Sequence, residues 1–276
     1  MRRRRAHGPM RAMDDHAAAE RPASILDLPL RPIRGDDPLR WLVLGWRDFL
    51  RAPGIGVFYG SCFAIMGWLL LWTYRHAPAW VLALSAGFLL VGPFLCLGLY
   101  DVSRRLERGE KPDLGASLIA WESRAGTMAI FGGVLLILEM LWGRASLVVF
   151  AVSFDGMPDF KGSLLALLDP ENFGFIAAYL AVGAVFAGLI FAISVVSIPM
   201  ILDRSVDAVS AGLTSLRLCL TQPWPMLIWG ALITLLVGLA MLPAFAGLLV
   251  VGPVVGHASW HAYRAAVGAA PGGAVT

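Results

Sequence analysis

Glu139 is the one acidic residue deep inside a long apolar run of this chain. A charged carboxylate left unpaired in hydrocarbon is expensive. Such a residue therefore marks a proton or cation site, or else it hydrogen-bonds a neighbouring helix or reaches the outer headgroups. Arg144 follows five residues later, about 140° around a helix, and is poorly placed to pair with Glu139. It is expected to snorkel outward instead. His257 and His261 stand at i, i+4, a spacing that places two imidazoles on one metal or beside a haem. No third ligand stands nearby, and Trp260 and Tyr263 beside them read as membrane-interface aromatics, so an ordinary interfacial pair is the competing reading. Cys62, Cys96 and Cys219 show no C-x-x-C spacing and read as small core hydrophobes. The chain contains no G-x-S-x-G, Walker loop, dinucleotide fingerprint or H-E-x-x-H. No catalytic residue and no cofactor is assigned on these grounds, and nothing beyond the arginines of the leading segment points to nucleic acid.

A repeated stretch offers a second kind of candidate. Gly87-Phe88-Leu89-Leu90-Val91-Gly92-Pro93 runs on to Tyr100 and Arg104. It recurs 160 positions later as Gly247-Leu248-Leu249-Val250-Val251-Gly252-Pro253, running on to Trp260 and Arg264. Proline inside a helix removes one backbone donor and crowds the carbonyl four residues earlier. Within a membrane such a kink survives when neighbours re-satisfy the freed group, and glycines admit a neighbouring helix closely. Gly92-Pro93 and Gly252-Pro253 are thus either packing kinks copied by duplication or two broken helices facing a central cavity. Trp41, Trp46, Tyr100 and Trp260 are expected at the membrane interface, with Arg104 and Arg264 reaching cytosol or lipid phosphate.

The composition sets the solvent for these elements. The 276 residues are 58% hydrophobic and 15% charged, with mean hydropathy +0.72. A soluble domain has roughly 45–50% apolar and about 25% charged residues; the excess here calls for a bilayer. Apolar runs place six transmembrane helices near 55–72, 80–100, 128–150, 174–202, 224–242 and 243–263, with Pro243 breaking the last hairpin; the alternative is five spans plus a re-entrant piece. The loop over 153–173 is the longest between spans. Two amphipathic lead-in helices precede the first and last hairpins, with Leu39, Leu42, Trp46 and Phe49 spaced like Val206, Val209, Leu213 and Leu216. Asp113 and Asp203 are placed to cap the helices that follow them.

The charges give an orientation. Nineteen of the 22 Lys and Arg fall on one side of a six-span arrangement, leaving only Arg75, Arg144 and Lys161 on the other. The positive-inside rule then puts both termini in the cytoplasm of a plasma-membrane protein. The expected organisation is a disordered basic tail over 1–35, a six-helix domain over 36–266 and a flexible tail over 267–276. The domain divides into units 36–111, 112–202 and 203–266. The first and last are parallel repeats, and the middle one is a candidate third copy.

Several stretches resemble a bacterial integral-membrane family, domain of unknown function 2189. They are Gly45-Trp46-x-Asp48-Phe49, Tyr59-Gly60, Gly92-Pro93 with Gly98-Leu99-Tyr100, Ser103-Arg104-Arg105-Leu106-Glu107-x-Gly109-Glu110, Ser197-x-Pro199 with Leu202-Asp203-Arg204, and Gly256-His257-Ala258-x-Trp260-His261-Ala262-Tyr263-Arg264. Together they cover about 36 to 266. Some members carry the label cytochrome c oxidase subunit I-like, which implies several intramembrane histidines on haem and copper. Here only His257 and His261 approach a span. The expected function is a non-enzymatic inner-membrane scaffold or accessory subunit whose partners are the lipid bilayer and another membrane complex or a second copy. The alternatives are a small-solute or ion transporter using the kinked helices and Glu139, and a haem or metal protein.

Overall fold

Pro38, Pro53 and Pro223 each stand in the first turn of a helix, where a missing N–H leaves no bond unmade and the fixed φ favours helical entry. These prolines start three of the helices in the computed structural model, which describes residues 28–77, 80–153 and 172–268. In chain order the helices are α1 (Asp37–Arg51), α2 (Pro53–His76), α3 (Val81–Glu107), α4 (Leu114–Leu118), α5 (Ala125–Ser153), α6 (Phe173–Ser194), α7 (Ser197–Asp203), α8 (Ala208–Thr221), α9 (Pro223–Met241) and α10 (Leu248–Val267). A short 3-10 turn, Glu122–Arg124, leads into α5. The described residues contain no strand. Most of the long loop expected at 153–173 lies outside them.

Four segments are long and apolar enough to cross a bilayer: Pro53–His76, Leu114–Ser153, Phe173–Asp203 and Pro223–Met241. Helices α3 and α10 occupy the second and sixth expected positions. Each joins an apolar first half to a polar second half, with Asp101, Arg104, Arg105 and Glu107 on α3 and His257, His261 and Arg264 on α10. Both helices continue through their internal prolines, Pro93 and Pro253.

The run expected as one helix over 174–202 breaks at Val195 and Val196. In an unbroken helix the ring of Pro199 would press on the carbonyl of Val195. The carbonyls around the break find side-chain donors. Ser197 Oγ donates to the carbonyls of Ile193 and Ala211, and Ser215 Oγ donates to that of Ala192 at 2.8 Å. Helix α7 is thereby held in the interior, with residues 197–202 all buried.

The lead-in helices carry apolar side chains on both their packed and their exposed faces. Helix α1 buries Pro38, Trp41, Gly45, Asp48 and Phe49 and exposes Leu39, Val43, Trp46 and Leu50. Helix α8 buries Ala208, Ala211, Thr214, Ser215 and Leu218 and exposes Val209, Leu213 and Leu220. Each helix thus packs one face, Trp41 and Phe49 of α1 and Leu218 of α8 included, and leaves several large apolar side chains outside, which suits a lipid surface. The cap of α4 is Asp113, accepting from Ala116 N at 2.6 Å, as expected. The cap of α8 is Asp207, accepting from Ser210 N at 2.9 Å; Asp203 has another task, described below.

Helix α10 is the centre of the packing, with α1, α2 and α3 all against it. The approach is close enough to require glycine. A Cβ on Gly45 would lie 2.5 Å from the carbonyl oxygen of Val254, and one on Gly60 would lie 2.1 Å from that of Leu249. The break before α10 falls at Pro243 as expected. Ala244 and Phe245 there adopt φ of 49° and 65°, and Trp68 Nε1 donates to the Ala244 carbonyl at 2.5 Å. Each lead-in helix packs on the last long helix before it: α4 on α3, α8 on α6 and, closing the circle, α1 on α10.

Residues 28–35, expected within the disordered tail, lie against this body. Leu28, Leu30 and Ile33 pack on the core. Arg31 N donates to the Ala266 carbonyl at 2.9 Å, and Gln222 pairs with both Ile33 N and the Arg31 carbonyl, at 2.6 and 2.9 Å. Apolar side chains and paired backbone groups hold this strap in place.

Candidate functional site

Glu139 sits on α5 and is almost fully buried, 8% exposed. Its Oε1 has no hydrogen-bond partner among the described residues. It lines a cavity of about 380 Å³ shared by α3, α5 and α6. Pro93 comes from α3; Leu135, Glu139 and Trp142 come from α5; Phe186, Ile190 and Phe191 come from α6. The wall is apolar and aromatic apart from the carboxylate, the Trp142 indole and Ser194. The Ser194 hydroxyl is already used, donating to the Ile190 carbonyl at 2.6 Å. Thus the structure brings together two residues that the sequence proposed separately, Glu139 and Pro93. Gly92, next to Pro93, meets no atom within 4 Å at its Cβ position. Gly252 and Pro253 are elsewhere: a Cβ on Gly252 would lie 2.8 Å from the Phe63 ring, and Pro253 is buried in the α10 packing.

A second cluster joins α1, α3 and α10. Ser103 Oγ donates to Asp48 Oδ2 at 2.8 Å. With its one proton so placed, Ser103 accepts from His257 Nδ1, also at 2.8 Å. His261 Nε2 donates to the same Asp48 oxygen at 2.8 Å. Burial pushes the Asp48 carboxyl up, but the hydrogen bonds and charges of His261, the Ser103 hydroxyl and the charge of His257 together outweigh it. They hold the group below the usual carboxylate value. The result is a continuous chain, His261–Asp48–Ser103–His257, running from a partly exposed imidazole to a fully buried one. It can hold a proton between three helices. Sequence reasoning missed Asp48 and Ser103; the one signal was an acid on the buried face of α1, three residues after Gly45.

The polar ends of α3, α7 and α10 form a third set. Asp101 is buried and pairs with Arg104 and with Arg105, the latter at 2.8 Å. Arg104 also donates to the Leu202 carbonyl at 3.2 Å. Asp203 accepts from Tyr263 Oη at 2.7 Å, and Arg204 donates to the same hydroxyl at 3.0 Å. Glu107 accepts two bonds from Arg264, at 2.9 and 2.6 Å, and one from Trp260 Nε1 at 3.1 Å.

Several residues expected at the membrane interface have partners within the protein. Trp41, Tyr100 and Trp260 are buried rather than facing headgroups; Trp41 packs edge-on against Trp229 at 5.5 Å. Arg104 and Arg264 are engaged by Asp101 and Glu107 rather than reaching out singly. Trp46 remains exposed on α1. His257 and His261 lie in the relay rather than forming a simple surface pair, and among the described residues no group of three or more His, Cys, Asp or Glu gathers to hold a metal ion.

The apolar helices define an integral, multi-pass membrane protein. Residues 81–203, from the start of α3 to the end of α7, match the model of a family described as Predicted integral membrane protein (DUF2189). No curated protein and no solved structure matches the chain. The matched region contains Pro93, Ser103 and Glu139, while Asp48, His257 and His261 lie outside it.

Proposed function

We propose that this is a six-span protein of the bacterial inner membrane, with residues 28 and 268 on the cytoplasmic side, that binds a small lipophilic cation or amine at Glu139. Helices α3 and α10 supply the second and sixth spans in this reading, and the charge asymmetry supplies the orientation. The observation that carries it is the unpartnered Oε1 of Glu139 on the wall of an otherwise apolar cavity of about 380 Å³. A buried carboxylate without a partner is offset by a proton or a cation. Trp142, Phe186 and Phe191 in the lining supply aromatic rings that suit a cationic head, each such contact contributing roughly 0.5–2 kcal/mol. Pro93 stands in the same wall and leaves the Leu89 carbonyl without its helical donor. Transport follows from this site if the bound species exchanges between the two faces.

The test is binding and uptake of tetraphenylphosphonium by the full chain in proteoliposomes. Saturable binding that falls at least tenfold in Glu139→Gln, with Glu107→Gln unaffected, is expected. Equal binding by Glu139→Gln overturns the assignment.

A scaffold or accessory-subunit role rests on a different feature. Helix α5 exposes a stripe of Ile130, Val134, Ile137, Leu141 and Val148, spaced to seat one partner helix. Recovery of a stoichiometric partner in mild detergent, lost when Ile137 and Leu141 are both changed to Ala, would favour this reading over the first.

A further inference from the structure

Beside α1 lies a groove of about 660 Å³, bounded by α1 on one side and the end of α10 on the other. Its lining is mostly basic and apolar. Arg40 and Arg47 come from α1, and His261 and Arg264 come from α10, with Leu39 and Val43 forming the greasy edge. Asp37 is the acid in the lining, and it stands 3.5 Å from Arg40. Arg264 is shared with Glu107. Arg47 has no ion pair among the described residues, and His261 spends only Nε2 on Asp48. The groove therefore carries uncompensated positive charge beside an exposed apolar stripe.

We infer that this groove holds the phosphate headgroup of one anionic phospholipid, with an acyl chain lying along Leu39 and Val43. The lipid is favoured over a soluble phosphate compound by position. Helix α1 ends at Arg51 and α2 enters its apolar run at Pro53, so α1 lies at the level where the chain meets the headgroups. The inference rests on α2 crossing the bilayer, as proposed above, and is independent of the Glu139 site.

The experiment is native mass spectrometry of the full chain purified from nanodiscs made with equal parts phosphatidylglycerol and phosphatidylcholine. One retained phosphatidylglycerol per chain is expected. Retention should fall about thirtyfold in the Arg40→Gln/Arg47→Gln double variant, at about fivefold per arginine near an anionic surface. Arg75→Gln, at the far end of α2, and Glu139→Gln should retain it fully, which separates this site from the cation site. Retention of both lipids equally, or no loss in the double variant, overturns the proposal. Complete displacement by millimolar inorganic phosphate or pyrophosphate would reassign the groove to a soluble phosphate compound and overturn the lipid assignment.

Discussion

The two Gly-Pro copies have the same spacing and different surroundings. In α3, no atom lies within 4 Å of the Cβ positions of Gly87 or Gly92, and Pro93 faces the Glu139 cavity. In α10, a Cβ on Gly247 would meet the Ala240 backbone at 2.7 Å, and Gly252 meets Phe63. One copy opens onto space and the other is packed shut. A duplicated kink therefore specifies no function by itself; what the kink faces decides whether it becomes a site or a joint.

The largest expected difference between the copies is in tolerance to added volume. Gly247→Ala must displace backbone and should lower stability by about 1–3 kcal/mol, whereas Gly87→Ala should be neutral or raise it by roughly 0.5–1 kcal/mol. Thermal unfolding of the two variants in detergent reads this directly, and equal shifts would erase the distinction. Next comes the anchoring of α1 to the second copy. The carboxyl of Asp48 is held below its usual value of 3.8, so its stabilising contribution is full above that value and is lost as pH falls through the lower folded one. The unfolding temperature should drop below about pH 4, and Asp48→Asn should remove that dependence. The proline pair gives a subtler contrast. Pro93→Ala restores a hydrogen bond to the Leu89 carbonyl, about 1 kcal/mol in α3 stability, while changing tetraphenylphosphonium affinity. Pro253→Ala should leave that affinity alone, as binding isotherms of both variants would show. Smallest is Glu107→Gln, which weakens the link between the copies. Because Glu107 is 39% exposed, solvent screens the pair and a loss of about 0.5 kcal/mol is expected in an unfolding titration.

Much of this architecture is legible in local sequence. The proline starts, the Asp113 cap and the break at Pro243 follow from residues a few positions apart. Glu139 is marked by a carboxylate's intolerance of hydrocarbon, with no knowledge of its neighbours. What is not legible depends on distant pairing. Asp48, Ser103 and His261 meet across separations of 55 to 213 residues, and no periodicity announces it. The packed face of α1 is hard to read for a related reason. Apolar spacing shows which residues share a side, but in lipid the apolar side need not be the packed one, and Gly45 and Asp48 turn inward and Trp46 outward. Asp203 and Asp207 are both plausible caps by type; only the packing of Tyr263 assigns Asp203 elsewhere.

The central place of α10 has a consequence in time. A ribosome completes α2 roughly 190 residues before it completes α10, an interval of about 10 to 40 seconds at 5–20 residues per second. Through that interval Gly45 on α1 and Gly60 on α2 lack the helix that covers them. Nascent chains of this protein therefore depend on lipid, or on a membrane chaperone, to shield a seam that only the last helix can close.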